Sequence, residues 1–138
     1  LYPDVFIASL LDDRNNVLLH NQRFTEANLV ADIFIDVNNG MNRSGHPVNA
    51  ALLELYQFIH QQPNLHLHGL HVYDGHLRDA NFNERKAKID TGFTSVNDFI
   101  TKIKELGLPE PIIIAGGTPA FTTHALRAEV FCSPGTCV

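Results

Sequence analysis

Residues 69–79, GLHVYDGHLRD, place two imidazoles, a phenol and a carboxylate where an apolar run gives way to a loop. His71, Tyr73, Asp74 and His76 are residue types that move protons, lie against a flat ligand or shape the rim of a site. Two later stretches, AGGTP (115–119) and SPGT (133–136), also follow apolar runs. Gly116, Gly117 and Gly135 let the backbone approach a ligand closely, and Thr118 and Thr136 add hydroxyls. Together these are the ingredients of a phosphate cradle. Arg43, in GMNRSG (40–45), carries a guanidinium suited to a phenolate or carboxylate, or simply to a solvated loop.

Such residues need elements to hold them. DVFIASL (4–10), DIFIDV (32–37), LHLHGLHVY (65–73), PIIIAG (111–116) and EVFC (129–132) are short and rich in β-branched or aromatic residues, as strands are. Several are apolar on both faces, which suits parallel strands covered on both sides. PVNAALLELYQFIHQQ (47–62) carries a helical stripe of Val48, Leu52, Leu55, Tyr56 and Ile59, with Pro47 at a first helical position. TSVNDFITKIKELG (94–107) carries another, with Thr94 or Ser95 as cap and Gly107 as terminator. DDRNNVLLHNQRF (12–24) reads as a shorter helix opened by its aspartates. The alternation implies an α/β fold with a parallel sheet of about five βα units. That is enough for a small open sheet, or for five-eighths of a (β/α)8 barrel. In both, chemistry collects beyond the C-terminal ends of the strands, where the motifs above fall.

Strict alternation along residues 65–73 puts His66 and His68 on one face with Leu70 and Val72, and Gly69, His71 and Tyr73 on the other. On that basis His66 and His68 pack or hydrogen-bond, and no metal site is expected. His20, His46, His60 and His124 read as isolated and ordinary.

At 138 residues the chain makes one domain, and its 44% hydrophobic and 18% charged content exclude a disordered one. No apolar run is long enough to span a bilayer. A formal charge of −5 with scattered cations argues against nucleic-acid and anionic-membrane partners; ERKAK (84–88) reads as a solvated helix face. Cys132 and Cys137 read as free buried thiols of a reducing, cytoplasmic compartment.

Taken together, FIDVNNGMNRSGH, GLHVYDGHLRD, IIIAGGTPAF and CSPGT resemble, in order and spacing, the D-threonine aldolase and D-serine dehydratase-like family. That family is related to the N-terminal barrel of alanine racemase. The resemblance runs along nearly the whole chain and implies part of a (β/α)8 barrel binding pyridoxal 5′-phosphate at its mouth. It further implies an aldolase, dehydratase or racemase acting on a small D-amino acid, homodimeric as the full-length protein. By the same resemblance Tyr73 lies against the pyridine ring, and Gly116, Gly117, Thr118, Gly135 and Thr136 cradle the phosphate. Arg43 lies near the ring's phenolic oxygen, and His71, Asp74 and His76 shape the rim. Ser133 stands where racemases carry an arginine opposite the ring nitrogen.

The family's Schiff-base lysine belongs to a strand upstream of Leu1. Lys86, Lys88, Lys102 and Lys104 all lie in polar helix or loop sequence. The chain therefore reads as a catalytically inactive barrel fragment, with any divalent-metal ligands in a later domain. Two other readings stand beside this one: a non-catalytic carrier of the same cofactor, and a small domain binding a phosphorylated metabolite.

Overall fold

The computed structural model describes residues 4–135. Its centre is a parallel sheet of β1 (Ala8–Leu11), β2 (Ala31–Asn38), β3 (His46–Pro47), β4 (Leu65–Tyr73), β5 (Ile112–Ala115) and β6 (Val130–Cys132). The spatial order is β1-β2-β4-β5-β6, with two-residue β3 extending the β1 edge of β2. Each long strand thus lies beside the next in sequence, and the order never reverses. A doubly wound sheet reverses at its switch point; a barrel does not. The order selects the barrel reading, and the fold is part of a (β/α)8 barrel.

Helices α1 (Arg14–Glu26), α2 (Ala50–His60), α3 (Phe82–Glu105) and α4 (Phe121–His124) fill the connections. Ile33, Ile35 and Val37 of β2 and Leu65, Leu67, Leu70 and Val72 of β4 form one buried face. Leu52, Leu55, Tyr56 and Ile59 of α2 join Phe93, Val96, Phe99 and Ile103 of α3 in the same cluster. Each such side chain contributes roughly 1.5–3 kcal/mol by leaving water. The Tyr56 hydroxyl avoids an unsatisfied burial by donating to Pro109 O at 2.6 Å.

Two helix starts differ from the sequence reading. Pro47 lies in β3, and α2 begins after Asn49, whose side chain accepts from Leu52 N. Helix α3 starts twelve residues before Thr94, because the Asn81 side chain caps it by accepting from the Asn83 and Glu84 amides. Ile89 and Phe93 extend its apolar stripe backwards through that added segment. Its end is as expected: Gly107 adopts φ +66°, so its own N–H reaches Lys104 O and that of Leu108 reaches Ile103 O.

The largest departure is inside β4. Register with β2 slips between Ile33↔Leu67 and Phe34↔Gly69, leaving His68 as an extra residue. This bulge reverses the alternation. His66 and His68 therefore share the inner face with His71 and Tyr73, not the helix face with Leu70 and Val72 as alternation predicts. Gly69 permits it, since a Cβ there would lie 1.9 Å from Ile112 O of the neighbouring strand.

Candidate functional site

The C-terminal ends of β2, β4, β5 and β6 converge through their loops. Asn38 ends β2 and organises the loop after it, its Oδ1 accepting from Gly40 N at 3.1 Å and Asn42 N at 3.0 Å. That loop carries Arg43 back so that its guanidinium carbon lies 4.8 Å from the centre of the Tyr73 ring. Asp36, on the inner face of β2, takes a hydrogen bond from Ser44 Oγ at 2.8 Å and meets His71 Nδ1 at 3.2 Å. The His71 hydrogen bond, chiefly, holds the Asp36 carboxyl below its ordinary range against the opposing effect of burial; Ser44 and Arg43 add to it. The His71 ring in turn lies nearly parallel to Tyr73, 6.4 Å centre to centre.

Tyr73 is seated on glycine backbone. A Cβ on Gly75 would be 2.4 Å from the phenol oxygen, and one on Gly117 would be 2.8 Å from ring carbon Cε2. Both glycines are therefore required by the position of this ring. The β5 end is tied on either side: Gly116 N donates to Val72 O at 2.9 Å, and Ser133 Oγ to Gly116 O at 2.9 Å. Beside the ring opens a cleft of about 450 Å³ lined by Tyr73, Arg78, Arg85, Thr118, Pro119 and Gly135.

Tyr73, Arg43, Gly117, Thr118 and Gly135 are thus brought to one place. Gly116 adopts φ +90° with its backbone against the His124 ring, so it shapes the turn behind the cleft. His76 lies over the Gly40 turn. Thr136 and Cys137 lie outside the described residues, and Cys132 is a free thiol only partly buried.

Two rim and histidine expectations need correcting. Asp74 is not at the rim: it is fully buried, with Oδ2 at 2.7 Å from His124 Nε2. His124 is not an ordinary isolated histidine, being fully buried as well. Arg127 Nη1 lies 3.0 Å from His124 Nδ1. A guanidinium can only donate, so Nδ1 accepts and the ring proton sits on Nε2, facing Asp74. Arg127 also donates to Asp90 Oδ1 on α3 at 2.6 Å. The pair pins the YDGH turn to the helix that follows GGTP.

Arg78 and Arg85 were not singled out from the sequence, yet they supply the cleft with positive charge. Arg78 Nε donates to Gly75 O at 2.9 Å, and Arg85 Nη1 to Asp79 O. Arg85 Nε is buried with no protein partner. Their spacing of seven residues, straddling a helix start, was the available signal. The lysines by contrast all lie on α3, where Lys86 pairs with Asp90, Lys88 with Asp79, and Lys104 with Glu110.

The residues present fit an anionic, flat ligand: an aromatic face, a backbone cradle that side chains would fill, a hydroxyl and two guanidiniums around one cleft. None of the described helices is long and apolar enough to cross a membrane.

Known proteins resemble this chain in sequence and in fold. The chain is 25% identical over 116 residues to 3-hydroxy-D-aspartate aldolase of Paracoccus denitrificans, and 24% identical over 113 residues to D-threonine aldolase of an Arthrobacter species. These alignments cover 83% and 81% of this chain; the chain spans about 30% of either relative's length. In three dimensions it matches D-threonine aldolase from Filomicrobium marinum with a TM-score of 0.81 at 21% identity, over 90% of this chain and 35% of that one. Alanine racemase of Clostridium difficile matches with a TM-score of 0.73 at 15% identity, over 94% and 33%. The family profile described as alanine racemase, N-terminal domain, matches residues 7–138, and the chain belongs to that family.

Proposed function

We propose that these residues form the cofactor-binding part of a pyridoxal-phosphate-dependent enzyme acting on small D-amino acids, by aldol cleavage, dehydration or racemisation. The relatives are aldolases of D-amino acids, which supports the substrate class. The observation that carries the reading is the Tyr73 ring, seated on Gly75 and Gly117 beside a cleft holding Thr118, Gly135, Arg78 and Arg85.

When bound, the cofactor supplies an electron sink for charge developing next to the substrate amino group. The residues of this chain bind and orient it. Tyr73 would offer a ring face, and Thr118 with the backbone at Gly117 and Gly135 would hold the phosphate. Arg78 and Arg85 balance the phosphate charge, and the unpartnered Arg85 Nε is a donor in reserve. Arg43, held over Tyr73, would hydrogen-bond the cofactor's phenolic oxygen. Asp36 holds His71 in orientation beside Tyr73. Lys86, Lys88, Lys102 and Lys104 all lie on α3 and not at a strand end, so none of them is given a role here.

Titration with pyridoxal 5′-phosphate and with phosphate-free pyridoxal, followed by the cofactor's absorbance, tests the reading. The phosphate ester should bind at least about tenfold more tightly, a preference equivalent to roughly 1.4 kcal/mol. Arg78→Ala should remove most of that preference. Equal affinity for the two compounds, or no binding of either, overturns it.

A further inference from the structure

We propose that Asp32, His66 and His68 form a site for a divalent transition-metal ion of the zinc class, at the opposite end of the sheet from the cleft. The three side chains each bring one ligand atom, and all of these lie within 4.8 Å of one another. His68 Nε2 is 2.6 Å from Asp32 Oδ1, and His66 Nδ1 is 3.5 Å from the same oxygen. The backbone builds this convergence. Asp32 stands opposite His66 in the parallel register, and His68, two residues on, is the next inner-face residue by alternation. Five to seven residues separate the two histidines from Tyr73, roughly 15–25 Å along the strand. The site therefore shares nothing with the cleft.

Two imidazole nitrogens and one carboxylate oxygen are borderline donors that suit zinc and its neighbours rather than magnesium or calcium. Tetrahedral ligands at about 2.0–2.1 Å from zinc stand roughly 3.3 Å apart. The observed His68–Asp32 and His66–Asp32 spacings of 2.6 and 3.5 Å bracket that value. The His68 ring is already oriented, stacked on Phe34 at 5.7 Å and met edge-on by Phe6 at 5.1 Å. His66 is 65% exposed, so an ion arrives from solvent and keeps a fourth position for water. On binding, the ion takes the Nε2 lone pair of His68, whose single ring proton then sits on Nδ1.

Calorimetric titration of the full chain, free of any affinity tag, with zinc chloride is the test, repeated with cobalt(II) for its visible absorption. One equivalent should bind with a rise in the thermal midpoint, and cobalt should give the intense bands of a four-coordinate site. His66→Ala removes an exposed ligand with little effect on packing. It should weaken binding by more than the roughly 10- to 100-fold that loss of an outer-shell partner costs. Asp32→Asn should act in the same direction, and His20→Ala, on α1, should bind as the parent does. Absence of one-equivalent binding, or parent-like affinity in His66→Ala, overturns the proposal and leaves a strand-to-strand hydrogen bond.

Discussion

Two aspartate–histidine pairs lie a few residues apart at the end of β4, and they do different work. Asp74–His124 is fully buried, 2.7 Å long and extended through Arg127 to Asp90. Asp36–His71 is 3.2 Å long, its two side chains 14% and 19% exposed, and it faces the inner side of the sheet beside Tyr73. A pair without access to solvent cannot exchange partners with a ligand, but it can lock two chain segments together. A pair with one open side gives up some rigidity and keeps the ability to meet something that binds. Burial, more than residue type, separates scaffold from site here.

The largest effect expected is on the buried pair. His124→Ala leaves Asp74 enclosed without its partner and should cost about 3–5 kcal/mol in denaturant unfolding. Asp74→Asn keeps an acceptor for the His124 proton and should cost less, about 1–3 kcal/mol. A cost for Asp74→Asn equal to that of His124→Ala would mean that charge, not geometry, holds the turn. His71→Ala should lower stability by only about 1 kcal/mol while weakening pyridoxal-phosphate binding more than its stability cost accounts for. Unchanged cofactor affinity in that variant would erase the contrast between the pairs.

The smallest effect is a pH dependence. Asp36 is held below its ordinary value of 3.8, first by the His71 hydrogen bond and then by Ser44 and Arg43. Its folded value is depressed, so its stabilisation is complete above the ordinary value and is lost as pH falls through the lowered one. Acid unfolding followed by circular dichroism should be shallower below about pH 4 in Asp36→Asn than in the parent.

The strands were legible because runs such as Asp32–Val37 and Leu65–Tyr73 declare themselves by composition. Tyr73, Thr118 and the glycines were legible as a site because parallel sheets put chemistry at the ends of such runs. The start of α3 was not, since Gly92 and the polar residues 83–88 mask a stripe that Ile89 and Phe93 continue. His124 was missed for a different reason. Its partner is fifty residues away, and nothing local to FTTHALR marks a histidine destined for burial. Arg85 was hidden inside a charge cluster whose other members do face water.

Gly69 has a further consequence for how the strand tolerates change. Along β4, side chains obey an odd–even rule, and the bulge shifts that count by one. Deleting Gly69 would restore strict parity. Leu67, Leu70 and Val72 would still face the helices and His68, His71 and Tyr73 the inner side, now in unbroken alternation. The faces would exchange only if the residue stayed and the bulge closed, so it is the slipped register, and not the residue count, that keeps the binding surface and the hydrophobic one apart.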